Sequence, residues 1–384
     1  MDFTAQTRPA DTKPYDQHGW LLQAALLHDG DARRAWAQWS GSIDLDHLPA
    51  GQYLLLPLLY RNLEYLGVEH PWLSRLKGVY RRCWYANHLA LRRLADVVAA
   101  LAGADVDALL VGEAVSVLSD YPEVSTRPIP ALQIAVRPAA FDQAARLLAE
   151  LGWRMQSHQF DLLSARHRVW GSSVIFYTKG GPSLRLHQHL LADVPNPVAD
   201  ELLWSKTCSL RVNDVVAQTL SPADRLAMIC LSAHTMGPVA LADVALLLRR
   251  ESVNWERLLS LARQLEVGAP LLQILEVLQA VLGLELAPEL LASLRRASSA
   301  RVHDASLRFG LAGRPRTLLQ TWRTHYRRFQ RLAKSQGQPT NLRTFLAYAQ
   351  CVADVAHPWQ LLPKFVARVL RNNRERYGGR GADE

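Results

Sequence analysis

The chain has 384 residues, of which 49% are hydrophobic and 21% charged, a globular composition that excludes wholesale disorder. This length exceeds what one hydrophobic core usually supports, so two or three structural units are expected. The net charge of +9 is concentrated at the end of the sequence, because residues 301–384 hold 16 Lys and Arg against 5 Asp and Glu.

Membrane spans, secretion signals and cysteine frameworks are not predicted. The longest apolar runs, such as Leu54–Leu59, are interrupted well before the roughly 18 residues that a transmembrane helix needs. Residues 1–15 lack the apolar segment of a secretory signal, which predicts a cytoplasmic protein. The four cysteines lie far apart and indicate neither a disulfide framework nor a zinc site.

The first region, residues 1–103, is predicted to be helical. From His18 to about Ala102, apolar residues recur every three or four positions, the period of an amphipathic helix. Breaks near Gly30, at 49–51 and at 67–71 divide the region into several helices.

The second region, residues 104–205, is predicted to be a small mixed α/β unit. A short apolar run ends at Gly112, as expected for a buried strand that turns into a helix. Further on, two β-prone runs flank a Lys-Gly-Gly-Pro turn, a strong hairpin signal. The predicted strands are 108–111, 132–136, 172–177 and 183–190, with a helix at 139–151 and the hairpin turn at 179–182.

The rest of the chain is predicted to be helical, in two parts. Residues 206–310 show the helical period from Ser221 onward, where Ser221 and Pro222 supply an N-cap and a first-turn proline. Residues 311–384 read as basic helices that end in a glycine-rich tail. The clearest helices of the first part are predicted at 241–250, 255–265, 271–282 and 288–296.

Residues 121–138, YPEVSTRPIPALQIAVRP, resemble the signature Y-P-D…R-P-x-x-D-x-D-L-L-V-R-P of uncharacterised bacterial nucleotidyltransferases. That family belongs to the DNA polymerase β-like superfamily and occurs near polysaccharide and peptide natural-product genes. The resemblance extends to residues 55–61, 184–190 and 220–248, where Asp243 fits a recurrent aspartate. It implies an α+β fold, with a polymerase-β-like nucleotidyltransferase core of a small mixed sheet and helices, flanked by helical regions.

The resemblance also implies where a catalytic site would lie. Such enzymes need a glycine turn, two carboxylates at i and i+2 of one strand and a third on a neighbouring strand, which together hold Mg²⁺ and a nucleoside triphosphate. Here Gly112 supplies the turn, but Ala131, Gln133 and Arg185 occupy the acidic positions and Val111 replaces a lysine. We therefore assign no catalytic residue, no metal ligand and no cofactor; Mg²⁺ and a nucleotide are expected only if activity survives.

Three hypotheses follow for the function. The first is a catalytically impaired protein that binds a nucleotide or phosphate, or serves as an accessory factor for a protein or peptide of a biosynthetic pathway. In it, Gln133 and Arg185 form a metal-free phosphate pocket; the alternative is that the strand has simply lost its site. The second is an active Mg²⁺-dependent nucleotidyltransferase. The expected contacts of the first hypothesis are Gly112, Glu113, Arg127, Gln133, Arg185 and His187, and the relocated acids of the second are Glu113, Asp120 and Glu123.

The third hypothesis is a basic helical adaptor. Five cations in residues 323–334 are interleaved with Trp322, Tyr326 and Phe329, a pattern that could bind nucleic acid or an anionic membrane, or form a solvated helix face over buried aromatic rings. Separately, His187 and His189 share a strand face and could hold a metal, although two ligands make a poor site and His158 and His167 are too loosely placed to add a third. The cations of the adaptor surface are Arg323, Arg327, Arg328, Arg331 and Lys334, followed by Arg368, Arg371, Arg374 and Arg376.

Overall fold

A computed structural model describes residues 16–155, 170–191, 197–297 except 266, 318–353 except 336, and 355–367 except 356 and 365. Within these ranges, helices precede, interrupt and follow one mixed sheet, which confirms the predicted α+β class. His158, His167 and the cations from Arg368 onward, all singled out in the sequence, lie outside the described residues. The first helices are α1 (Asp16–Leu26), α2 (Asp29–Ser40), α3 (Ala50–Tyr53), α4 (Leu56–Tyr65) and α5 (Leu73–Gly103).

The sheet has seven strands in the order β3-β4-β5-β2-β1-β7-β6. Its centre mixes directions, because β1 is antiparallel to β2, whereas β2 is parallel to β5 and β1 is parallel to β7. The strands are β1 (Ala108–Val111), β2 (Ala131–Val136), β3 (Arg154–Met155), β4 (Ser173–Tyr177), β5 (Ser183–His187), β6 (Thr207–Val212) and β7 (Val215–Leu220), and helices α6 (Glu113–Ser119) and α7 (Phe141–Glu150) lie between β1 and β3.

The hairpin predicted at 179–182 is confirmed, since β4 and β5 pair in antiparallel fashion on either side of it. Strand β5 ends at His187, three residues earlier than predicted. Three strands were missed. Strand β3 is a two-residue edge strand, whereas β6 and β7 lie in the region predicted to be helical and extend the sheet beyond residue 205. The sequence feature that indicates the β6–β7 hairpin is the two-residue Asn-Asp turn, in which Asn213 has a φ of 51°. In the structure, side chains of β7 alternate between buried and exposed.

The helices after the sheet pack against those before it. Leu21 and Leu59 from residues 1–103 share a core with Leu247 and Leu271 from residues 206–310, although the sequence places them in separate units. None of the helices in the described ranges has the length and apolarity needed to cross a membrane. The later helices are α8 (Pro197–Trp204), α9 (Pro222–Met236), α10 (Pro238–Arg250), α11 (Trp255–Gln264), α12 (Gly268–Leu282), α13 (Pro288–Ala297), α14 (Leu318–Ser335) and α15 (Leu342–Ala353).

The two faces of the sheet differ in polarity. One face buries Leu110, Ile134 and Leu186 against the second half of α5 and against α7, through residues such as Leu94 and Leu148. Successive side chains of a strand point to opposite faces, so the alternate positions 133 and 185 point to the other side. That second face carries the polar groups around which the candidate site is built.

Candidate functional site

Strand pairing places the sequence-predicted positions side by side on the polar face. Val111 of β1 lies opposite Gln133 of β2, and Gln133 lies beside Arg185 of β5. Ala131 is the neighbour of Ser183 in the same ladder. Directly paired residues project from the same face, so Gln133 and Arg185 share one surface, as the resemblance implied.

Gly112 is required at the turn after β1. Its φ of 74° and ψ of −155° lie in a region that residues with a side chain rarely adopt. A Cβ atom built on Gly112 would lie 2.5 Å from Nε2 of Gln133, which is well inside contact distance. Glycine therefore allows the Gln133 amide to lie directly over the backbone turn.

Two hydrogen bonds in series link the start of α6 to strands β2 and β5. Nε2 of Gln133 donates to Oε2 of Glu113 at 2.8 Å, which fixes the orientation of the amide because a carboxylate can only accept. Oε1 of Gln133 then faces Nε2 of His187 at 3.2 Å. His187 must donate this bond, so its neutral ring carries the proton on Nε2 and its Nδ1 is left as an acceptor.

His187 stays neutral in this arrangement. Burial, together with the nearby positive charge of Arg185, lowers the pKa of His187 to about 3. Its Nδ1 is buried and has no hydrogen-bond partner within the described part of the chain. The ring can thus accept a hydrogen bond from a ligand but cannot serve as a cation.

Arg185 is the charged group of the site. Its residue is half-buried, and no carboxylate forms an ion pair with it among the residues that the structure describes. A half-buried guanidinium without a counter-ion favours an anion, and its planar donors match a phosphate or carboxylate.

These donors do not fit Mg²⁺. The ion prefers an octahedron of oxygen ligands, usually with carboxylates. Glu113 offers a carboxylate next to Gln133, but the Gln133 oxygen already faces His187, and Arg185 brings a positive charge. Across the described ranges, no group of three or more His, Cys, Asp or Glu side chains is arranged to hold a metal ion.

The other two acids considered as metal ligands lie in unrelated contacts. Asp120 is fully buried, and both of its oxygens accept from Nη1 of Arg225 at 3.0 Å. Glu123 is bound by Arg61 at 2.7 Å and by the hydroxyl of Tyr80. Neither carboxylate is free to join Glu113 near Gln133.

Arg127, expected to contact phosphate, instead holds the sheet region to helix α10. Its side chain is fully buried, and Nε and Nη2 donate to the two oxygens of Asp243 at 2.9 and 3.1 Å. The hydroxyl of Tyr121 donates to the same carboxylate at 2.6 Å. A ligand could reach Arg127 only by breaking a buried ion pair, so we remove it from the expected phosphate contacts.

The two histidines of β5 and its extension do not act as a pair. His189 lies beyond the end of the strand, where its Nδ1 is 2.6 Å from Oδ2 of Asp200. His187 faces Gln133 instead. Their different partners give a physical reason why spacing at i and i+2 does not produce a shared metal site here.

Asn87 holds the loop that precedes β2, a role that was not predicted from the sequence. Its amide nitrogen donates to the carbonyls of Val124 and Arg127 at 2.6 and 2.7 Å, and its oxygen accepts from the amide of Ile129 at 3.0 Å. The available signal was a lone asparagine on the apolar stripe of α5, between Cys83 and Leu91.

The aromatic residues of the basic helix α14 separate into two environments. Phe329 is fully buried and packs against Trp170, Phe345 and Tyr348, whereas Tyr326 is 42% exposed. Arg323, Arg327 and Lys334 are exposed. Part of the predicted aromatic pattern therefore builds a local core, and these three cations are accessible.

Comparison with known proteins identifies the family. Residues 50–283 match a family described as "Uncharacterised nucleotidyltransferase", a range that contains all seven strands. No curated protein matches the chain. Two solved structures are similar at a low level. An antigenic nucleotidyltransferase-like protein from Paracoccidioides brasiliensis is 15% identical, with a TM-score of 0.34 and a match over 54% of this chain and 92% of that one.

A tRNA-processing enzyme in its apo form is 12% identical, with a TM-score of 0.23 and a match over 76% of this chain and 91% of that one. Neither similarity is close enough to carry an argument about function. The family match covers more than half of the 384 residues. On that basis, the chain belongs to the family of uncharacterised nucleotidyltransferases.

Proposed function

We propose that this chain binds a phosphate-bearing ligand, such as a nucleotide, at Arg185 without a divalent metal, and that it serves as an accessory protein and not as a catalyst. The observation that carries the proposal is the environment of Arg185. The residue is half-buried, pairs with Gln133 in the β2–β5 ladder and has no acidic partner in the described part of the chain.

A phosphate would satisfy this environment. Partial burial makes an uncompensated charge costly, and a phosphate offers paired oxygen acceptors in the geometry that guanidinium donors prefer. Glu113 lies close by but is already bonded to Gln133, so its charge is partly screened from the ligand. Nδ1 of His187 would accept from a hydroxyl or amino group of the same ligand.

The same arrangement argues against efficient nucleotidyl transfer. In metal-dependent transfer, the cation both neutralises the phosphates and activates the attacking oxygen. Arg185 supplies a single charge and no coordination position, and Glu113 alone cannot replace three carboxylates. An active enzyme with relocated acids remains the alternative, and it depends on Glu113, because Asp120 and Glu123 are engaged elsewhere.

The accessory role rests on the family resemblance, which places such proteins beside biosynthetic genes. The partner in this role would be a protein or peptide of the pathway. A basic adaptor is a separate candidate, favoured by the exposed Arg323, Arg327 and Lys334 of α14. Reduced retention of the R323Q/R327Q variant on nucleic acid or on anionic vesicles would support that candidate, and unchanged retention would oppose it.

The phosphate site is tested by calorimetric titration of ATP, CTP, GTP, UTP and inorganic tripolyphosphate into the full chain in the presence of EDTA. R185Q should weaken binding at least about tenfold, since a hydrogen bond to a charged group contributes about 1.5–3 kcal/mol. The control R154Q removes the same charge from exposed Arg154 on β3 and should bind as the wild type does. Equal affinity of R185Q, or no binding of any of these ligands, would contradict the proposal.

A further inference from the structure

Helix α5 carries an exposed basic and aromatic surface that the proposed function does not use. At 100° per residue, six side chains fall within one arc of about 120° on the helix. All six are exposed, and Trp84 and Tyr85 retain 51% and 68% of their surface. We call this the α5 basic face; it consists of Lys77, Arg81, Trp84, Tyr85, His88 and Arg92.

Packing within the protein does not explain why these residues are on α5, because they do not contribute to its buried side. The opposite side of the helix supplies the buried groups, including Leu76 and Cys83 near its start and Leu91 and Leu94 further along. Large aromatic side chains are normally buried because their apolar area is costly in water. Two exposed aromatic residues halfway along this face, one at each edge of its arc, are therefore the feature that calls for a partner.

The charge of the face is uniform. Residues 75–93 contain six Lys and Arg and no acid, and Asp96 follows one turn beyond the end. Lys77, Arg81 and Arg92 form no ion pair within the described ranges. A rise of 1.5 Å per residue spreads the face over about 22 Å, which makes it an extended stripe that suits a linear polyanion.

The aromatic rings make single-stranded nucleic acid the best match among polyanions. Unpaired bases stack on exposed aromatic side chains while cations follow the phosphates. Trp84 also contacts the ring of His88 in a tilted arrangement, with 4.5 Å between ring centroids and 54° between ring planes. A helix that binds an anionic membrane needs a broad apolar face of Leu, Phe or Trp residues beside its cations, whereas this face carries only two aromatic side chains and no exposed Leu, Ile or Val.

The stripe leads toward the rim of the sheet. Arg93, next to its last cation, packs so closely on the β4–β5 turn that a Cβ on Gly181 would lie 3.1 Å from its Nε. That turn presents exposed Lys179, and Tyr177, the last residue of β4, is 43% exposed just before it. The turn feeds directly into β5, the strand that carries Arg185.

We propose that the α5 basic face binds single-stranded nucleic acid, with Trp84 and Tyr85 stacking on bases and Lys77, Arg81 and Arg92 contacting phosphates. This binding is independent of the phosphate site at Arg185. It is also separate from the basic surface of α14.

The test is fluorescence anisotropy with a labelled 12-nucleotide single-stranded RNA of mixed sequence, and with the same sequence as DNA, at several salt concentrations. The full-length wild type is compared with W84A/Y85A, R81Q/R92Q and the control R211Q/R263Q. The control removes two exposed arginines from β6 and α11. Circular dichroism checks that each variant stays folded, as expected for substitutions of exposed residues.

W84A/Y85A should weaken binding by at least tenfold, because each stacked base contributes about 1–3 kcal/mol, while the slope of log affinity against log salt stays the same. R81Q/R92Q should flatten that slope by about 1.4, as expected when two phosphate contacts to a single strand are lost. The control should match the wild type in both. Three results would overturn the proposal: no strand binding at low salt, equal losses in control and test variants, or binding to phosphatidylserine vesicles in preference to the strand.

Discussion

Replacement of Asp243 by alanine should destabilise the protein strongly. Arg127 and Asp243 are 0% and 2% exposed, and the carboxylate accepts three hydrogen bonds of 2.6 to 3.1 Å from Arg127 and Tyr121. Without it, the guanidinium keeps a bond to the carbonyl of Pro128 but remains buried with no counter-charge. Loss of one partner from such a pair costs about 3–5 kcal/mol.

Urea unfolding followed by circular dichroism measures this cost. The matched control is Asp31→Ala, which removes the same side chain from an exposed ion pair with Arg34 and should change stability by less than about 1 kcal/mol. Replacing both buried partners, as in R127M/D243L, should recover most of the lost stability, because no unpaired charge remains. The reasoning is refuted if D243A costs no more than Asp31→Ala.

Three further predictions concern the site and its surroundings. Gly112→Ala should lower the free energy of unfolding by about 1–3 kcal/mol, because alanine is strained at positive φ and its Cβ would clash with Gln133. In the same urea assay, G112A/Q133A should recover the share of this loss that comes from the clash. Because burial lowers the pKa of His187 to about 3, its ring should be neutral at pH 5, with the proton on Nε2. The free energy of unfolding that depends on this neutral ring should be fully present above pH 6.5 and should be lost as the pH falls toward 3. A ¹⁵N NMR spectrum that shows a charged ring at pH 5 would contradict this prediction. Burial raises the pKa of Asp120 to about 6 although Arg225 is its partner. The free energy of unfolding of the wild type, relative to that of D120N, should therefore decrease as the pH rises from about 4 to 6. A difference between the two proteins that does not change with pH would show that the carboxyl is not buried in this way.

Periodicity and turn chemistry in the sequence predicted most of the central fold. Apolar runs predicted β1 and β2, and the Gly-Gly turn predicted the β4–β5 hairpin, because these signals act between neighbouring residues. The β6–β7 hairpin was missed because a strong helical pattern follows it immediately. The shared core of the early and late helices could not be predicted, since that contact joins residues more than 150 positions apart.

At the candidate site too, the sequence predicted which strand positions are neighbours but not the contacts between distant parts of the chain. The i, i+2 rule and the family resemblance correctly predicted that Gln133 and Arg185 would lie together. They gave no means to predict that Arg127 pairs with Asp243, because this contact depends on how α10 packs against the loop before β2. Charge type alone suggested a phosphate ligand for Arg127, whereas burial decides its role.

The most direct test of the central claim compares nucleotide affinity with and without metal. In a calorimetric titration of ATP into the full-length protein, the affinity in EDTA should equal or exceed that in excess Mg²⁺, because the proposal assigns the role of the metal to Arg185 and free ATP carries more negative charge. No pyrophosphate should form in either buffer. Binding that requires Mg²⁺, together with release of pyrophosphate, would contradict the account and show that Glu113 or another acid supports metal-dependent transfer.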